Sequence, residues 1–246
     1  MANEILLAAT LVFVFSSLLA FYWLFGKAGA VAFASVAALV ANIEVVMLVE
    51  AFGMEMTLGN ILFASTFLAT DILSECHSKD SAQKAVFIGI AVSLFFALLS
   101  QSWLMYQPSP NDMASGHFHA IFSLTPRIAV VSLLVYALAQ CADVYLYHKV
   151  WALTEKWTGS RRSLLWLRNN LCTLASQALN AALFNLGAFW GVYPASTVWS
   201  LAVSTFAIYI ATSLLDTPFL YAARAIKASK EKKERGPGSA IQKSTG

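Results

Sequence analysis

The sequence predicts an all-α integral membrane protein, a polytopic bundle of transmembrane helices. Of the 246 residues, 59% are hydrophobic and only 12% are charged, whereas an average soluble domain has roughly 25% charged residues. The mean hydropathy is +0.66. Apolar stretches of about 20 residues are long enough to cross roughly 30 Å of hydrocarbon as helices. The remaining residues are too few to form a soluble catalytic domain.

Seven such stretches follow one another along the chain. They cover approximately residues 5–25, 28–50, 58–75, 84–105, 127–149, 170–190 and 196–222. The first stretch lacks the basic n-region of a signal peptide, and its apolar run continues beyond Ala30, so we count it as a helix. The three cysteines lie in three different stretches, which predicts packing residues and no disulfide framework.

The positive charges predict how the bundle is oriented. If the stretches alternate across the membrane, fifteen of the sixteen Lys and Arg residues fall on one side. An excess of Lys and Arg marks the cytoplasmic side, so the N-terminus is expected outside and the C-terminus in the cytoplasm. The exception, Arg127, is either a headgroup anchor or part of a substrate entrance. Residues 1–226 are expected to form the bundle, and residues 227–246 a disordered basic tail.

Polar side chains follow one face of four predicted helices. Residues at positions i, i+3, i+4 and i+7 share a helix face. This spacing aligns Asn170, Thr173, Gln177 and Asn180 on the sixth helix; Asn60, Phe67, Asp71 and Glu75 on the third; Tyr136, Gln140, Asp143 and Tyr147 on the fifth; and Thr205, Tyr209, Thr212 and Asp216 on the seventh. We call these four sets the polar stripes, and we expect them to face one another.

The carboxyl groups in the polar stripes favour a functional role. An ionised carboxylate at the bilayer centre costs about 2.5–3.5 kcal/mol on insertion scales, so such groups normally face a cavity or a partner. The alternative is that the polar residues only join helices, through hydrogen bonds worth about 0.6 kcal/mol each. Because joining helices does not require several carboxyl groups and tyrosines at one place, we favour a ligand site.

The chemistry that is absent narrows the function further. The chain has no phosphate-binding G-x-x-x-x-G-K-[ST] loop, no H-E-x-x-H and no C-x-x-C motif. We therefore expect no enzyme, no cofactor and no metal site. A transporter, or the substrate-binding subunit of one, remains. Carboxylates, amides and aromatic rings together suit a flat heterocycle that is rich in hydrogen-bonding groups.

Five segments resemble, in the same order, the signature segments of the queuosine precursor transporter family, also called the vitamin uptake transporter family. They are TDILSE (70–75), LTPRI (124–128), QCADVYLYHKV (140–150), LWLRNNLCTLASQALNAALF (165–184) and LLDTPFLY (214–221). The resemblance implies a transporter that imports 7-deazaguanine precursors of queuosine, a modified tRNA nucleoside, through the bacterial cytoplasmic (inner) membrane. It also implies a core of six helices, residues 28–224, with residues 1–25 as an additional N-terminal helix.

The polar stripes and the resemblance together define the expected site. The predicted substrate-binding residues are Asp71, Glu75, Gln140, Asp143, Asn170, Gln177, Asn180 and Asp216. Arg127, Arg168 and Asn169 are predicted to form a gate or a helix-end network. We expect Asp71 or Asp143 to accept the guanine-like N1–H and N2–H₂ groups, with Gln177 and Asn180 on the ring carbonyl or the 7-substituent.

This chain departs from the family pattern at two places. Asn180 stands where an acid is usual, and Cys76, His77 and Ser78 follow Glu75 where Tyr-Gly is common. If the usual acid binds a donor edge or a cationic substituent, Asn180 alters the preference among preQ0, preQ1 and queuine.

The sequence also leaves several alternatives for partners. Beside the heterocyclic substrate and membrane lipid, it leaves open a homodimer through the alanine-rich stretch at residues 30–41. No direct binding of nucleic acid and no ATPase partner are expected. Two alternatives to the transporter remain: a substrate-binding subunit for another heterocycle or vitamin that needs a separate ATPase, and a membrane scaffold or assembly protein.

Overall fold

A computed structural model describes residues 2–45, 47–122, 126–160, 164–191 and 194–234. Its elements are α1 (Ala2–Glu44), β1 (Leu48–Ala51), β2 (Met54–Thr57), α2 (Asn60–Cys76), α3 (Lys79–Trp103), α4 (Ser115–Phe122), α5 (Pro126–Thr158), α6 (Leu165–Phe189) and α7 (Ala195–Glu234). In the described part of the chain, α1, α3, α5 and α7 are long and apolar enough to cross a membrane. The prediction of an all-α membrane bundle is confirmed.

Helix α1 folds back on itself at a glycine. Gly26 has φ 60° and ψ −136°, in the region that favours glycine, and the rings of Phe21 and Phe33 meet across the reversal at 5.8 Å. A Cβ atom on Gly29 would lie 2.1 Å from the carbonyl oxygen of Phe21. The two glycines therefore allow the close reversal between the first and second predicted stretches.

Contacts at the two ends of the first half of α1, before the reversal, define the two ends of the bundle. The Asn3 side chain donates a hydrogen bond to the carbonyl oxygen of Glu50 in the β-hairpin, 2.9 Å away. Tyr22, near the reversal, contacts His77 between α2 and α3, with 3.3 Å between its hydroxyl and the Nε2 atom. We call these the hairpin end and the reversal end of the bundle.

The β-hairpin replaces the last part of a predicted helix. The second stretch was expected to continue to residue 50, but α1 ends at Glu44, and β1 pairs antiparallel with β2. Phe52 and Gly53 form the turn with φ 54° and 70°. Positive φ at both central residues is the geometry that suits the twist of a two-residue hairpin. The strands complete one wall at the hairpin end.

Helix α2 is the centre of the bundle. It packs against α1, α3, α5 and α7, and α6 packs between α5 and α7. Fourteen of its residues are buried. Because protein surrounds α2, it can carry polar side chains that a lipid-facing helix of the same length could not.

Helix α7 continues beyond its predicted end. Disorder was expected from Lys227 onward, but residues 227–234 are helical, which corrects the prediction for this part of the tail. Extending an existing helix needs no new nucleation, and Lys227 and Glu231 form an i,i+4 ion pair at 3.5 Å. The rest of the predicted tail, residues 235–246, lies outside the described residues, as do Arg161, Arg162 and part of the LTPRI segment.

Candidate functional site

A cavity of about 350 Å³ lies at the hairpin end of the bundle. This volume is within the range of roughly 300–1,000 Å³ that is usual for small-molecule sites. Its polar lining consists of Asn42, Thr57, Asn60, Ser93, Ser132, Tyr136, Asn180, Asn185, Thr197, Thr205 and Tyr209. Among the described residues, no Asp, Glu, Lys or Arg lines the cavity. The cavity therefore offers neutral hydrogen-bonding groups and aromatic rings.

A chain of hydrogen bonds joins three helices at the cavity. The Asn180 amide donates to the Tyr209 hydroxyl at 3.1 Å, and this hydroxyl donates to Asn60 Oδ1 at 3.4 Å. Thr57 also donates to Asn60 Oδ1, at 3.1 Å. The side-chain atoms Asn180 Oδ1 and Asn60 Nδ2 have no hydrogen-bond partner in the described part of the chain. One acceptor and one NH₂ donor thus remain for a ligand.

Aromatic side chains form one wall of the cavity. The Phe63 ring is inclined by 30° to that of Tyr209, with the centroids 6.3 Å apart. It meets the Tyr136 ring edge to face, with the centroids 5.7 Å apart. Gly89 of α3 makes room for this arrangement, because a Cβ atom there would lie 2.5 Å from the Tyr136 hydroxyl. A flat ligand could therefore stack on an aromatic surface next to the free Asn180 oxygen and the free Asn60 NH₂ group.

A buried polar layer lies next to the cavity, further along the helices toward the reversal end. Gln140 donates to Thr66 and accepts from Thr70, which links α5 to α2. Thr173 donates to Asp71 Oδ2 at 3.0 Å. Ser176 donates to Asp143 Oδ1 at 2.7 Å. Side chains from α2, α5 and α6 therefore meet here, as the polar stripes predict.

The aspartates of this layer are shut off from water. Asp71 and Asp143 both have 0% of their surface exposed. Asp71 Oδ1 and Asp143 Oδ2 have no hydrogen-bond partner among the described residues, and the same is true of Gln177 Oε1. Unsatisfied polar atoms in a buried layer are costly and call for an explanation.

A second polar contact joins α6 to α7. The Asn169 amide donates to Asp216 Oδ1 at 2.8 Å. The Asn170 amide donates to the Thr217 hydroxyl at 2.7 Å and accepts from Ser213 at 3.5 Å. The adjacent asparagines of WLRNN and the aspartate of LLDTP thus bind each other's helices.

An ion-pair cluster closes the bundle toward the reversal end. Arg168, which is fully buried, donates to Glu75 Oε2 at 2.5 Å, and Tyr147 donates to the same oxygen at 3.1 Å. Arg224 lies 3.6 Å from the other oxygen of Glu75. The guanidinium of Arg168 also lies over the Trp151 ring, 4.5 Å from its centroid. We call these five residues the inner cluster.

Arg127 is the only Lys or Arg at the hairpin end in the described part of the chain. Its Nε donates to the carbonyl oxygen of Gly187, and its Nη2 to that of Trp190, both at 2.9 Å. These carbonyls belong to the end of α6, where backbone acceptors lack partners within the helix. Arg127 therefore ties the start of α5 to the end of α6 beside the cavity.

Comparison with known proteins identifies the family. Residues 57–223 match the family described as "Putative vitamin uptake transporter". The chain belongs to this vitamin uptake transporter family. It is 36% identical over 218 residues to the "Probable queuosine precursor transporter" of Bacillus subtilis (strain 168), an alignment that covers 89% of this chain and 93% of the relative. It is 27% identical over 151 residues to the "Queuosine precursor transporter" of Escherichia coli (strain K12), which covers 61% and 62%.

The comparisons confirm the predicted class of protein. No solved structure matches the chain. The family is one of transporters and not of enzymes, and both relatives are bacterial. With its long apolar helices, this member of the family is a multi-pass protein of the bacterial cytoplasmic (inner) membrane.

The structure distributes the predicted site residues of this transporter along the whole bundle. Asn180 lines the cavity. Asp71, Gln140, Asp143 and Gln177 are in the buried polar layer, Asn170 and Asp216 are in the contact between α6 and α7, and Glu75 is in the inner cluster. The three predicted gate residues make contacts between helices or at helix ends: Arg127 at the end of α6, Arg168 with Glu75 and Asn169 with Asp216.

The predicted site omitted several cavity residues. Asn60, Tyr136 and Tyr209 belong to the polar stripes but not to the predicted substrate-binding residues, and Phe63 and Thr57 belong to neither set. Asn60, Tyr136 and Asn180 are the members of their stripes nearest the hairpin end. Because successive helices run in opposite directions, these three residues are expected at the same depth in the bundle. That shared depth is the sequence feature that could have identified them as neighbours.

Proposed function

We propose that this protein imports a 7-deazaguanine precursor of queuosine, such as preQ0, preQ1 or queuine, and that the cavity at the hairpin end binds it. The names of the two relatives support the substrate class. The main observation in support of this site is that the side-chain oxygen of Asn180 and the side-chain NH₂ of Asn60 are free. Both line a cavity of about 350 Å³ whose described walls are uncharged.

The chemistry of the cavity suits a neutral, guanine-like ring. Such a ring has a lactam edge, in which an N–H donor stands beside a carbonyl acceptor. The free Asn180 oxygen would accept from the N–H, and the free Asn60 NH₂ would donate to the carbonyl. Phe63 and Tyr209 would cover the face of the ring. A carboxylate at the cavity wall is not needed for this recognition.

We further propose a seven-span arrangement with the hairpin end outside the cell. The reversal at Gly26 divides α1 into two antiparallel halves, which supplies the additional N-terminal span. In the described part of the chain, Arg127 is the only Lys or Arg at the hairpin end, and the rule of positive charges places the other end in the cytoplasm. The cavity is then on the outer side, and the inner cluster closes the path to the cytoplasm.

This arrangement corresponds to the outward-facing state of an alternating-access carrier. Import requires the inner cluster to open and the helices at the hairpin end to close over the ligand. Arg127, Arg168 and Asn169 hold helix ends that must move in this exchange, so we assign them to the gates. Transport without an ATPase partner, binding of lipid and formation of a homodimer remain predictions.

Ligand-induced thermal stabilisation of the purified protein tests the substrate. A ligand that binds only the folded state stabilises it by about 2.7 kcal/mol at one hundred times its dissociation constant. We expect stabilisation by a deazaguanine and none by water-soluble vitamins. Stabilisation by a vitamin alone would replace the proposed substrate, and no stabilisation by any compound would favour the scaffold alternative. Uptake into liposomes that lack ATP would eliminate the ATPase-dependent subunit.

Cysteine labelling tests the orientation. In a chain whose three native cysteines are replaced by alanine, Ser109→Cys should react with a membrane-impermeant maleimide on intact cells. Ser229→Cys in α7 should react only after lysis, because it lies at the reversal end. The opposite pattern would invert the proposed topology.

A further inference from the structure

We propose that Asp71 and Asp143 together form a proton-binding site that couples import of the substrate to entry of a proton. The proposal rests on the proposed function, since coupling requires a transported substrate. It concerns a second site, separate from the cavity. Asp143 follows the cavity residue Tyr136 by seven positions, which places it roughly 10 Å along α5 from the cavity wall.

The geometry of the two carboxyl groups requires a proton. Each aspartate accepts one hydrogen bond, Asp71 from Thr173 and Asp143 from Ser176. Each keeps one oxygen without a donor among the described residues. Because the donors Thr173 and Ser176 are three residues apart on one face of α6, they hold the two carboxyl groups next to each other. Two carboxylates that share a buried site cannot both be ionised. One proton held between Asp71 Oδ1 and Asp143 Oδ2 would satisfy both oxygens.

The charged neighbours do not replace this proton. Asp216 of α7 adds a further negative charge, and Cys172 of α6 and Tyr147 of α5 interact with the pair without supplying a positive one. Arg168 and Arg224 pair with Glu75 of α2. In the described part of the chain, no Lys, Arg or His forms an ion pair with either aspartate.

The proton site is mechanically connected to the cavity. Ser176, which donates to Asp143, is one helical turn from the cavity residue Asn180 on α6. Asp71 and Asn60 are on the same stripe of α2. A change in the charge of the pair therefore acts on α2 and α6, the helices that carry the proposed ligand-binding residues Asn60 and Asn180. In the proposed cycle, the pair takes up a proton from the outside in the outward-facing state. Reorientation then opens the pair to cytoplasmic water, where both carboxylates can be ionised and the proton is released, one for each substrate.

Two transport assays separate this proposal from the proposed function. The full-length protein is placed in ATP-free liposomes with labelled preQ1 or preQ0. Exchange of label at equal concentrations and equal pH tests for transport alone. Accumulation driven by a more acidic outside solution, with the membrane voltage clamped to zero, tests coupling. At zero voltage, one proton per substrate gives at most about tenfold accumulation for each pH unit, whatever the charge of the substrate.

The outcomes of these assays are distinct. Exchange together with proton-driven accumulation supports both proposals. Absence of exchange overturns the proposed function. Exchange without proton-driven accumulation, or accumulation that follows only a sodium gradient at equal pH, overturns the proton site. Acidification inside liposomes loaded with a pH-sensitive dye, on addition of the substrate, checks the one-to-one ratio in the unaltered protein.

Variants locate the coupling at the aspartates. We expect Asp143→Asn and Asp71→Asn each to abolish proton-driven accumulation and to make the remaining exchange independent of pH. Asp112→Asn is the control, because this exposed carboxyl group lies in a loop and hydrogen bonds from Ser115 lower its pKa, so it stays ionised. Proton-driven accumulation that survives both buried substitutions would overturn the proposal. If these variants do not fold, the dye measurement on the unaltered protein decides.

Discussion

Removal of the Asn180 side chain tests the substrate site most directly. In Asn180→Ala the cavity loses the free carbonyl oxygen that we assign to the ligand's N–H, and the ligand keeps an unsatisfied donor. Leaving a buried polar group without a partner costs about 1–3 kcal/mol. Since 1.4 kcal/mol is tenfold in a dissociation constant, we expect binding between about fivefold and 150-fold weaker.

The control for this variant is a second asparagine of the same helix. Asn185 also lines the cavity, but its amide donates to the carbonyl oxygen of Ala181 in its own helix, 2.8 Å away. Asn185→Ala should weaken binding less than Asn180→Ala. Titration calorimetry in detergent measures both dissociation constants, and the melting temperatures without ligand show whether each variant is folded.

A third variant separates contact with the ligand from positioning. Tyr209→Phe removes the hydroxyl that accepts from Asn180 and donates to Asn60. If this hydroxyl acts only by orienting the Asn180 amide, the double variant with Asn180→Ala should bind about as weakly as Asn180→Ala alone, and any further loss would be due to Asn60. Unchanged binding in a folded Asn180→Ala protein would refute the proposed site.

Three further substitutions follow from other contacts. Glu75→Ala leaves the buried guanidinium of Arg168 without its carboxylate and should lower the free energy of unfolding by about 3–5 kcal/mol. Arg224→Ala, at a partly exposed site, should lower it less. Thermal unfolding in detergent compares the two variants, and equal losses would contradict this reasoning. Gly29→Ala places a Cβ atom 2.1 Å from a backbone oxygen and should disrupt the packing of the two halves of α1. We expect this variant to give no monodisperse peak in size-exclusion chromatography. Gly116→Ala, with open space around it, should elute like the unaltered chain. Asn180→Asp introduces a carboxylate into a cavity without charged walls and should shift the binding preference from the nitrile preQ0 toward preQ1, whose aminomethyl group is cationic. Competition binding measures this preference, and an unchanged preference would contradict a ligand bound beside position 180.

The polar faces of the helices could be predicted from the sequence, but not the depth of the site. Helical periodicity fixes the angle of a side chain around its axis, so Asp71, Asp143 and Asn180 were correctly assigned to faces that meet. It does not show where those faces separate. The cavity opens where α1 and the start of α2 present the small residues Ala38, Ala41 and Gly59, and their partners are known only after the helices are assembled.

Two local features were outside the reach of hydropathy. The apolar composition of residues 45–51 suits a helix as well as a strand, and the hairpin depends on its pairing with residues 54–57 and on the positive φ of Phe52. The end of α7 is charged all round, so no apolar face predicts a helix there. Residues 227–234 nevertheless form a helix, because they extend the existing α7 and need no new nucleation.

The contacts of the first helix half set a condition on the order of assembly. The Phe15 ring packs edge to face on Phe219 of α7, with 5.3 Å between the centroids. During synthesis, residues 2–44 can form their antiparallel pair as soon as both halves have left the ribosome, because that contact is local. The contact with α7 must wait until almost the whole chain has been made. The earliest and latest segments therefore close the bundle together, and a chain truncated before α7 would leave its first helix without this partner.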